Sequence, residues 1–258
     1  NLIGSTFVGG SAADGTNLIA TNYADTYRGE IIVDSNGNPL ISSFSQSQDF
    51  PTTSNAFQPN TGGGQDGVVF KLNPDLSNMI WSTYIGGNGN DSAYGLRLAE
   101  NNNVFVTGSA ADNSFPSATN SAIPNFVGGT NDGFVIELSA DGSTLLNGSF
   151  FGSEAKDESF FIDIDNDGDV YIYGQNNGVI SISETCFGNE NSAQFIAKFD
   201  SNLENILWQT TIGTGSINNS DFVPIAFMVD ICKKIYISGH GGLSQIPQIY
   251  SHDDALFS

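Results

Sequence analysis

The sequence predicts an all-β protein, a β-propeller of four-stranded antiparallel blades, on three observations. One hairpin pattern recurs four times. A second pattern of 22 residues recurs three times between the hairpins. The chain shows no apolar stripe of helical period. The hairpin copies are EIIVDSNGNPLISS from Glu30, GLRLAENNNVFVTG from Gly95, FIDIDNDGDVYIYG from Phe161 and FMVDICKKIYISG from Phe227. They align on Val33, Leu98, Ile164 and Val229, and again on Ile41, Val106, Ile172 and Ile237, in steps of 65, 66 and 65 residues. A fixed period of this size marks a repeat architecture.

Each hairpin predicts two short strands joined through Asp, Asn and Gly, which supply local hydrogen bonds and tolerate positive φ. The 22-residue segments start at Asp66, Asp132 and Ala193. In the first, Val68, Phe70 and Leu72 alternate with Val69 and Lys71, the period of a strand. A turn follows, Asn73-Pro74-Asp75 or Ala140-Asp141-Gly142. A second strand, Trp81 to Ile85 in the first copy, closes on Gly86-Gly87. Four consecutive antiparallel strands per repeat describe a propeller blade. Trp81 and Trp208 hold one position of the repeat and are read as blade-packing residues. Phe50-Pro51, Phe115-Pro116 and Ile246-Pro247 share a phase in the loop after the hairpin; the third copy lacks the motif. About a dozen extra residues, Thr16 to Arg28, predict a longer loop on one face.

The chain is read as one propeller region, 1–258: a partial blade at 1–10, repeats at about 29–87, 94–153 and 160–214, and a partial blade at 225–258. Ser5 to Gly10 (STFVGG) reads as the second half of a 22-residue segment, and Ser258 stops where another should begin. About four blades are thus visible, and the expectation is an arc of a larger propeller rather than a closed four-bladed ring.

The net charge is −21, from 28 acidic and 7 basic residues. Such a surface repels phosphate backbones, which argues against a nucleic-acid partner, and it attracts cations. No run of 18 apolar residues exists, so no membrane span is expected in this segment. Few lysines with abundant Asn, Ser, Thr and Gly match the composition of extracellular bacterial surface proteins.

The segments STFVGG, DFPTTSNAFQ, GGGQDGVVFKLNPDLSNMIWSTYIGGNGNDSAYG and NNVFVTGSA resemble the SBBP-type β-propeller repeats. These occur in large Bacteroidetes surface proteins that end in a gliding-motility-associated C-terminal domain and leave the cell by type IX secretion. The resemblance runs over essentially the whole chain. It implies a propeller and a surface location, and no catalytic residue, because the family's motif consists of structural positions. Cys232-Lys233-Lys234 departs from the usual Asn-Gly type of turn, and the third blade lacks the Phe-Pro loop.

Asp163, Asp165, Asp167 and Asp169, with Gly168, imitate the start of an EF-hand loop and form the candidate metal site, for calcium. The bidentate Glu is missing, since Gly174 stands at position 12 of that loop. The same stretch aligns with the turn Asp34 to Asn38, and the turn reading is preferred. Asp66 and Asp132 precede Gly at equivalent positions and are read as carboxylates bound to backbone N–H groups, a metal site being the lesser alternative. Cys186 and Cys232 fall in neighbouring blades, and in an oxidising exterior they are a candidate disulfide. His240 and His252 are the only histidines; no G-x-S-x-G accompanies them, and they are read as incidental. Asp91-Ser92-Ala93 resembles a bacterial O-glycosylation acceptor.

The function expected is a non-catalytic extracellular display or interaction module of a large bacterial surface protein, in adhesion or gliding. No cofactor other than calcium is expected. Its partners would be protein or glycan at the cell surface, or other domains of the same chain. The alternatives are a secreted polysaccharide-active enzyme domain and a calcium-stabilised adhesin module.

Overall fold

The computed structural model describes residues 4–118, 120–217 and 220–241. Three sheets are four-stranded and antiparallel, each laid down in chain order. The first holds β1 (Glu30–Val33), β2 (Pro39–Ser45), β3 (Asp66–Leu72) and β4 (Met79–Ile85). The second holds β5 (Ser92–Leu98), β6 (Val104–Ala110), β7 (Asp132–Leu138) and β8 (Leu145–Phe151). The third holds β9 (Asp157–Ile164), β10 (Val170–Asn176), β11 (Gln194–Phe199) and β12 (Ile206–Ile212). A two-stranded sheet, β13 (Phe222–Val229) and β14 (Ile235–Gly241), follows. Among the described residues the only helical element is a single 3-10 turn, Asp25–Tyr27, so no helix is long and apolar enough to cross a membrane.

The sheets pack face to face as blades do. Leu40, Val69 and Trp81 of the first meet Leu96, Val106 and Phe134 of the second. Phe105, Val135 and Phe151 meet Ile162, Ile172 and Phe195 of the third, and Tyr171, Tyr173 and Ile196 meet Phe227 of the fourth. A blade so covered buries both faces of its middle strands, which is why β3, β6 and β7 are buried at every position. Trp81 packs between blades as its phase predicts. Its indole Nε1–H donates to the Ala140 carbonyl (3.1 Å), and its ring lies in the space that a side chain at Gly142 would fill.

The hairpin turns share one template. Asp34, Asp165 and Asp230 each accept the N–H groups two and four residues on, at 2.8–3.1 Å. The fourth turn residue lies at positive φ in every copy: Gly37 (83°), Asn102 (66°), Gly168 (85°) and Lys233 (62°). The Cys-Lys-Lys turn thus adopts the conformation of the other three turns, with a lysine where left-handed backbone favours Gly or Asn.

The innermost strands β1, β5, β9 and β13 are consecutive neighbours, joined by a relay of polar contacts. Leu96 N–H of β5 donates to Glu30 Oε2 of β1 (2.9 Å), and Arg97 of β5 pairs with Glu30 and with Asp163 of β9. Val229 N–H of β13 donates to Asp163 Oδ2 (2.7 Å).

Two expectations change. Residues 5–10 form no strand; they lack a paired neighbour of the β3 type, and Val8 packs instead on the cluster of Phe50, Val68 and Phe70. The segment 16–28 is no free loop. It lies across the end where the inner strands begin, anchored to three blades. Ile246-Pro247, His252 and the end of the last partial blade, 242–258, fall outside the described residues.

Candidate functional site

The anchoring of residues 16–28 defines the most elaborate polar cluster of the molecule. Asn17 is buried and fully engaged. Its Nδ2 donates to Tyr94 Oη of β5 (2.8 Å) and to the Asp25 carbonyl (3.1 Å), while its Oδ1 accepts from Gln65 Nε2 (2.9 Å) and Ser92 Oγ (3.1 Å). Asp25 caps its own segment, accepting Asn22 N–H (2.9 Å) and Thr21 N–H (3.3 Å), and pairs with Arg28 Nε (2.9 Å). The Arg28 guanidinium sits over the rings of Phe160 and Phe161 of β9 at 4.5 and 4.8 Å and donates to the Pro224 carbonyl of β13 (3.0 Å). Thr21 Oγ1 hydrogen-bonds Glu158 of β9, and Lys156 Nζ donates to the Ile19 carbonyl (2.6 Å). Burial lifts the Glu158 carboxyl to about 7, and the nearby Asp25 charge adds to this against Lys156. Burial likewise raises Asp25, in spite of Arg28.

Polar anchors thus face inward. Outward the segment shows Leu18, Tyr23 and Tyr27, with relative exposures of 57, 64 and 76%. Tyr23 meets the ring of His240 edge-on at 6.3 Å. The only charged residues of 16–28 are Asp25 and Arg28, and they neutralise each other beneath.

The candidate metal residues divide. Asp165, Asp167 and Asp169 stand together, with one carboxylate oxygen of each lying within 4.8 Å of the others. Two ammonium groups bridge them: Lys198 Nζ at 3.0 Å from Asp165 and 2.7 Å from Asp169, and Lys233 of the next blade beside Asp165 and Asp167. Asp163 is not part of this group. It lies within β9, on the far side of the strand-to-turn boundary, and serves the inner-strand relay. Burial opposes ionisation of Asp165, but hydrogen bonds from Lys198, Asp167 N–H and Tyr171 outweigh it and hold its carboxyl down at about 2.

Asp66 and Asp132 hold backbone donors as their position suggests. Asp66 Oδ2 accepts Gly62 N–H (2.6 Å), and Asp132 Oδ2 accepts Val127 N–H and Gly128 N–H. They are joined by Asp91 and Asp157, whose Oδ2 atoms accept Gly87 N–H (2.6 Å) and Ser153 N–H (2.5 Å).

Two further expectations are corrected. Cys186 and Cys232 are free thiols. Cys186 belongs to the loop along the outer strand β12, where Ser183 N–H donates to the Gln209 carbonyl, while Cys232 tops the hairpin beside the β9–β10 turn. Several strand spacings of about 4.8 Å each lie between these places, beyond the reach of a disulfide. Asp91, Ser92 and Ala93 are wholly buried, so the triplet offers no accessible hydroxyl to a glycosyltransferase.

Sequence reasoning missed Asn17, Tyr94 and Glu158, which hold the axial segment. One signal was legible: Glu158 is the single carboxylate at a repeat phase filled by Ser92 and Val223 in the other copies.

The model of the SBBP family, described as a β-propeller repeat, matches residues 80–116. The matched stretch runs from β4 of one blade through β5 and β6 of the next, so this unit straddles a blade boundary. The chain is similar to that family over this stretch, and its fold is of the kind the family's description names. No curated protein matches the chain.

Proposed function

We propose that this protein is a non-catalytic interaction module, displayed outside a bacterial cell, that recognises its partner through the outward side of residues 16–28. One observation carries the reading. The longest insertion in the repeat is fixed from beneath by buried polar groups of three blades and presents two tyrosines and a leucine without a net charge. Rigid aromatic side chains with wet hydroxyls supply contact area at low entropic cost. A charge-free face in a chain of net charge −21 suits a neutral glycan better than a polyion.

The surface setting rests on the SBBP resemblance. With it come the proposals of a Bacteroidetes origin, type IX export, and a part in adhesion or gliding. Against the rival reading of a polysaccharide-active enzyme, the cleft formed by Phe7, Val8, Pro51, Leu72, Leu76 and Met79 has no acidic, basic or histidine side chain in its lining.

The test is a glycan array and a cell-surface binding assay with the wild type and a Tyr23→Ala/Tyr27→Ala variant. Binding that the variant loses, with an unchanged melting temperature, supports the reading. Equal binding by both places the partner elsewhere, and glycan hydrolysis by the wild type makes the chain an enzyme.

A further inference from the structure

Two blade interfaces share an arrangement that ligand recognition does not use. Asp132 opens β7 and Asp157 opens β9; one blade earlier, Asp66 opens β3 and Asp91 immediately precedes β5. All four residues have zero exposure. Backbone and hydroxyl donors converge on Oδ2 of Asp66, Asp132 and Asp157. Besides the N–H groups named above, Asp66 Oδ2 accepts Thr61 Oγ1–H and Asp157 Oδ2 accepts Ser153 Oγ–H (2.8 Å). Asp91 also accepts Ala111 N–H on Oδ1 (2.7 Å). Three oxygens are left over: Asp66 Oδ1, Asp132 Oδ1 and Asp157 Oδ1 are buried with no donor.

Asp66 Oδ1 faces Gly86, just after β4, and Asp132 Oδ1 faces Gly152, just after β8. A Cβ at Gly152 would stand 3.1 Å from Asp132 Oδ1 and 2.7 Å from Asp157 Oδ2, so the two carboxylates meet across the space of one absent side chain. At Gly86 the same absent Cβ would collide with Asp66 Oδ1, and the adjoining Gly87 supplies the N–H held by Asp91. The charges facing these groups are all negative. Asp157 faces Asp132, and Asp66 together with Asp112, from the loop after β6, faces Asp91. Lys156 adjoins Asp157 in sequence but turns to Glu158 and the Ile19 carbonyl. Among the described residues no ammonium or guanidinium forms an ion pair with any of the four.

Two buried carboxylates without a counter-ion do not both stay ionised. A proton on the orphan oxygen supplies the missing donor and removes one charge. We propose that each of the two interfaces binds one proton, shared within Asp132–Asp157 and within Asp66–Asp91, and that this proton latches neighbouring blades together. The proton belongs to the pair rather than to one member.

Burial, reinforced by the neighbouring carboxylate, lifts Asp91 and Asp132 to about 7. Burial against the Ser153 donors lifts Asp157 to about 6. These values exceed the unfolded value of about 3.9, so the folded state binds more protons between the two. The latch is complete below about pH 4 and is lost as pH rises through about 7.

The test uses the full chain. Asparagine in place of Asp132 or Asp66 mimics the protonated acid and keeps a donor. The wild-type melting temperature should fall by several degrees between about pH 5.5 and about pH 8.5, while Asp132→Asn and Asp66→Asn should flatten the fall and melt above the wild type at the alkaline end. Overall repulsion in an acidic chain also grows with pH, but one asparagine does not abolish its slope. Infrared spectra of the wild type at about pH 6 should show buried protonated carboxyl bands that shrink in each variant. Glu158, itself lifted to about 7, adds a band of its own, and the band that remains in a Glu158→Gln variant reports the aspartate pairs even if an aspartate variant fails to fold. Absence of such bands, or Asn variants as destabilised at alkaline as at acid pH, overturns the proposal.

Discussion

The two ends of the same blades treat buried aspartates in opposite ways. At the hairpin-turn end, Asp34 and Asp165 are met by Lys71 (2.8 Å) and Lys198 (3.0 Å) from the third strand of their own blade. With the turn's N–H groups these ammonium ions overcome the cost of burial and hold both carboxyls below their ordinary range. At the glycine end, Asp66, Asp91, Asp132 and Asp157 receive only backbone N–H and hydroxyl donors and face one another, and burial wins. One residue type thus titrates in opposite directions, according to whether a full counter-charge reaches a carboxyl near the surface or only neutral donors reach one that is wholly buried. The second blade confirms the logic by exchange. Its turn has Ala99 in place of the aspartate, and its third strand has Glu137 in place of the lysine, bonded to Asn103 (2.7 Å) and Asn147 (2.6 Å).

The largest effect expected comes from forcing that exchange halfway. Lys71→Glu sets a second acid beside buried Asp34 and should cost about 3–4 kcal/mol. Adding Asp34→Ala copies the second blade, with Asn38 standing where Asn103 stands, and should restore roughly 2 kcal/mol. Urea unfolding of the two single variants and the double variant reads the coupling; additive losses would mean the two positions do not interact.

Lys198→Met should cost about 2–3 kcal/mol at neutral pH, because Asp165 then depends on partly exposed Lys233. The folded Asp165 carboxyl lies at about 2, below its unfolded value. The stabilisation is therefore present above about pH 4 and lost as pH falls through about 2. Denaturation curves of wild type and variant should converge on acidification; parallel curves would assign the loss to packing instead.

At the glycine end, Gly152→Ala drives a methyl group between Asp132 and Asp157 and should cost about 1–3 kcal/mol. An alanine tolerated there without loss of thermal stability would mean that the two acids separate freely.

The smallest effect concerns calcium. With Lys198 and Lys233 bridging Asp165, Asp167 and Asp169, chelator or added calcium should move the melting temperature by no more than about 1 °C. A chelator-sensitive rise of several degrees would mean that the metal displaces the lysines.

The parts legible in the sequence were those written several times. The hairpins, the 22-residue segments and the N–H-binding role of Asp66 and Asp132 follow from residues recurring in phase. Trp81 was readable as packing for the same reason. The unrepeated parts were not. The segment Thr16 to Arg28 reads as an ordinary polar loop, because nothing local says that Asn17 will find Tyr94 or that Arg28 will find Pro224. Asp163 was grouped with the turn acids by spacing alone. Strand geometry separates it, since it sits in β9 at the phase of Arg97 and pairs across the inner strands. The exchange of Asp34 and Lys71 for Ala99 and Glu137 is written in the aligned repeats, and it marks the positions of the ion pairs.

The anchoring of the axial segment has a consequence for the order in which the molecule comes into being. Asn17 bonds a residue 77 positions on, Thr21 one 137 positions on, and Arg28 one 196 positions on. Each blade is a local meander that closes on short loops, whereas these contacts join residues 16–28 to strands made much later. Loop-closure entropy disfavours them until the intervening blades are in place. The segment leaves the ribosome before the strands it binds and settles after them, and the face it completes exists only in molecules whose sheets have already assembled.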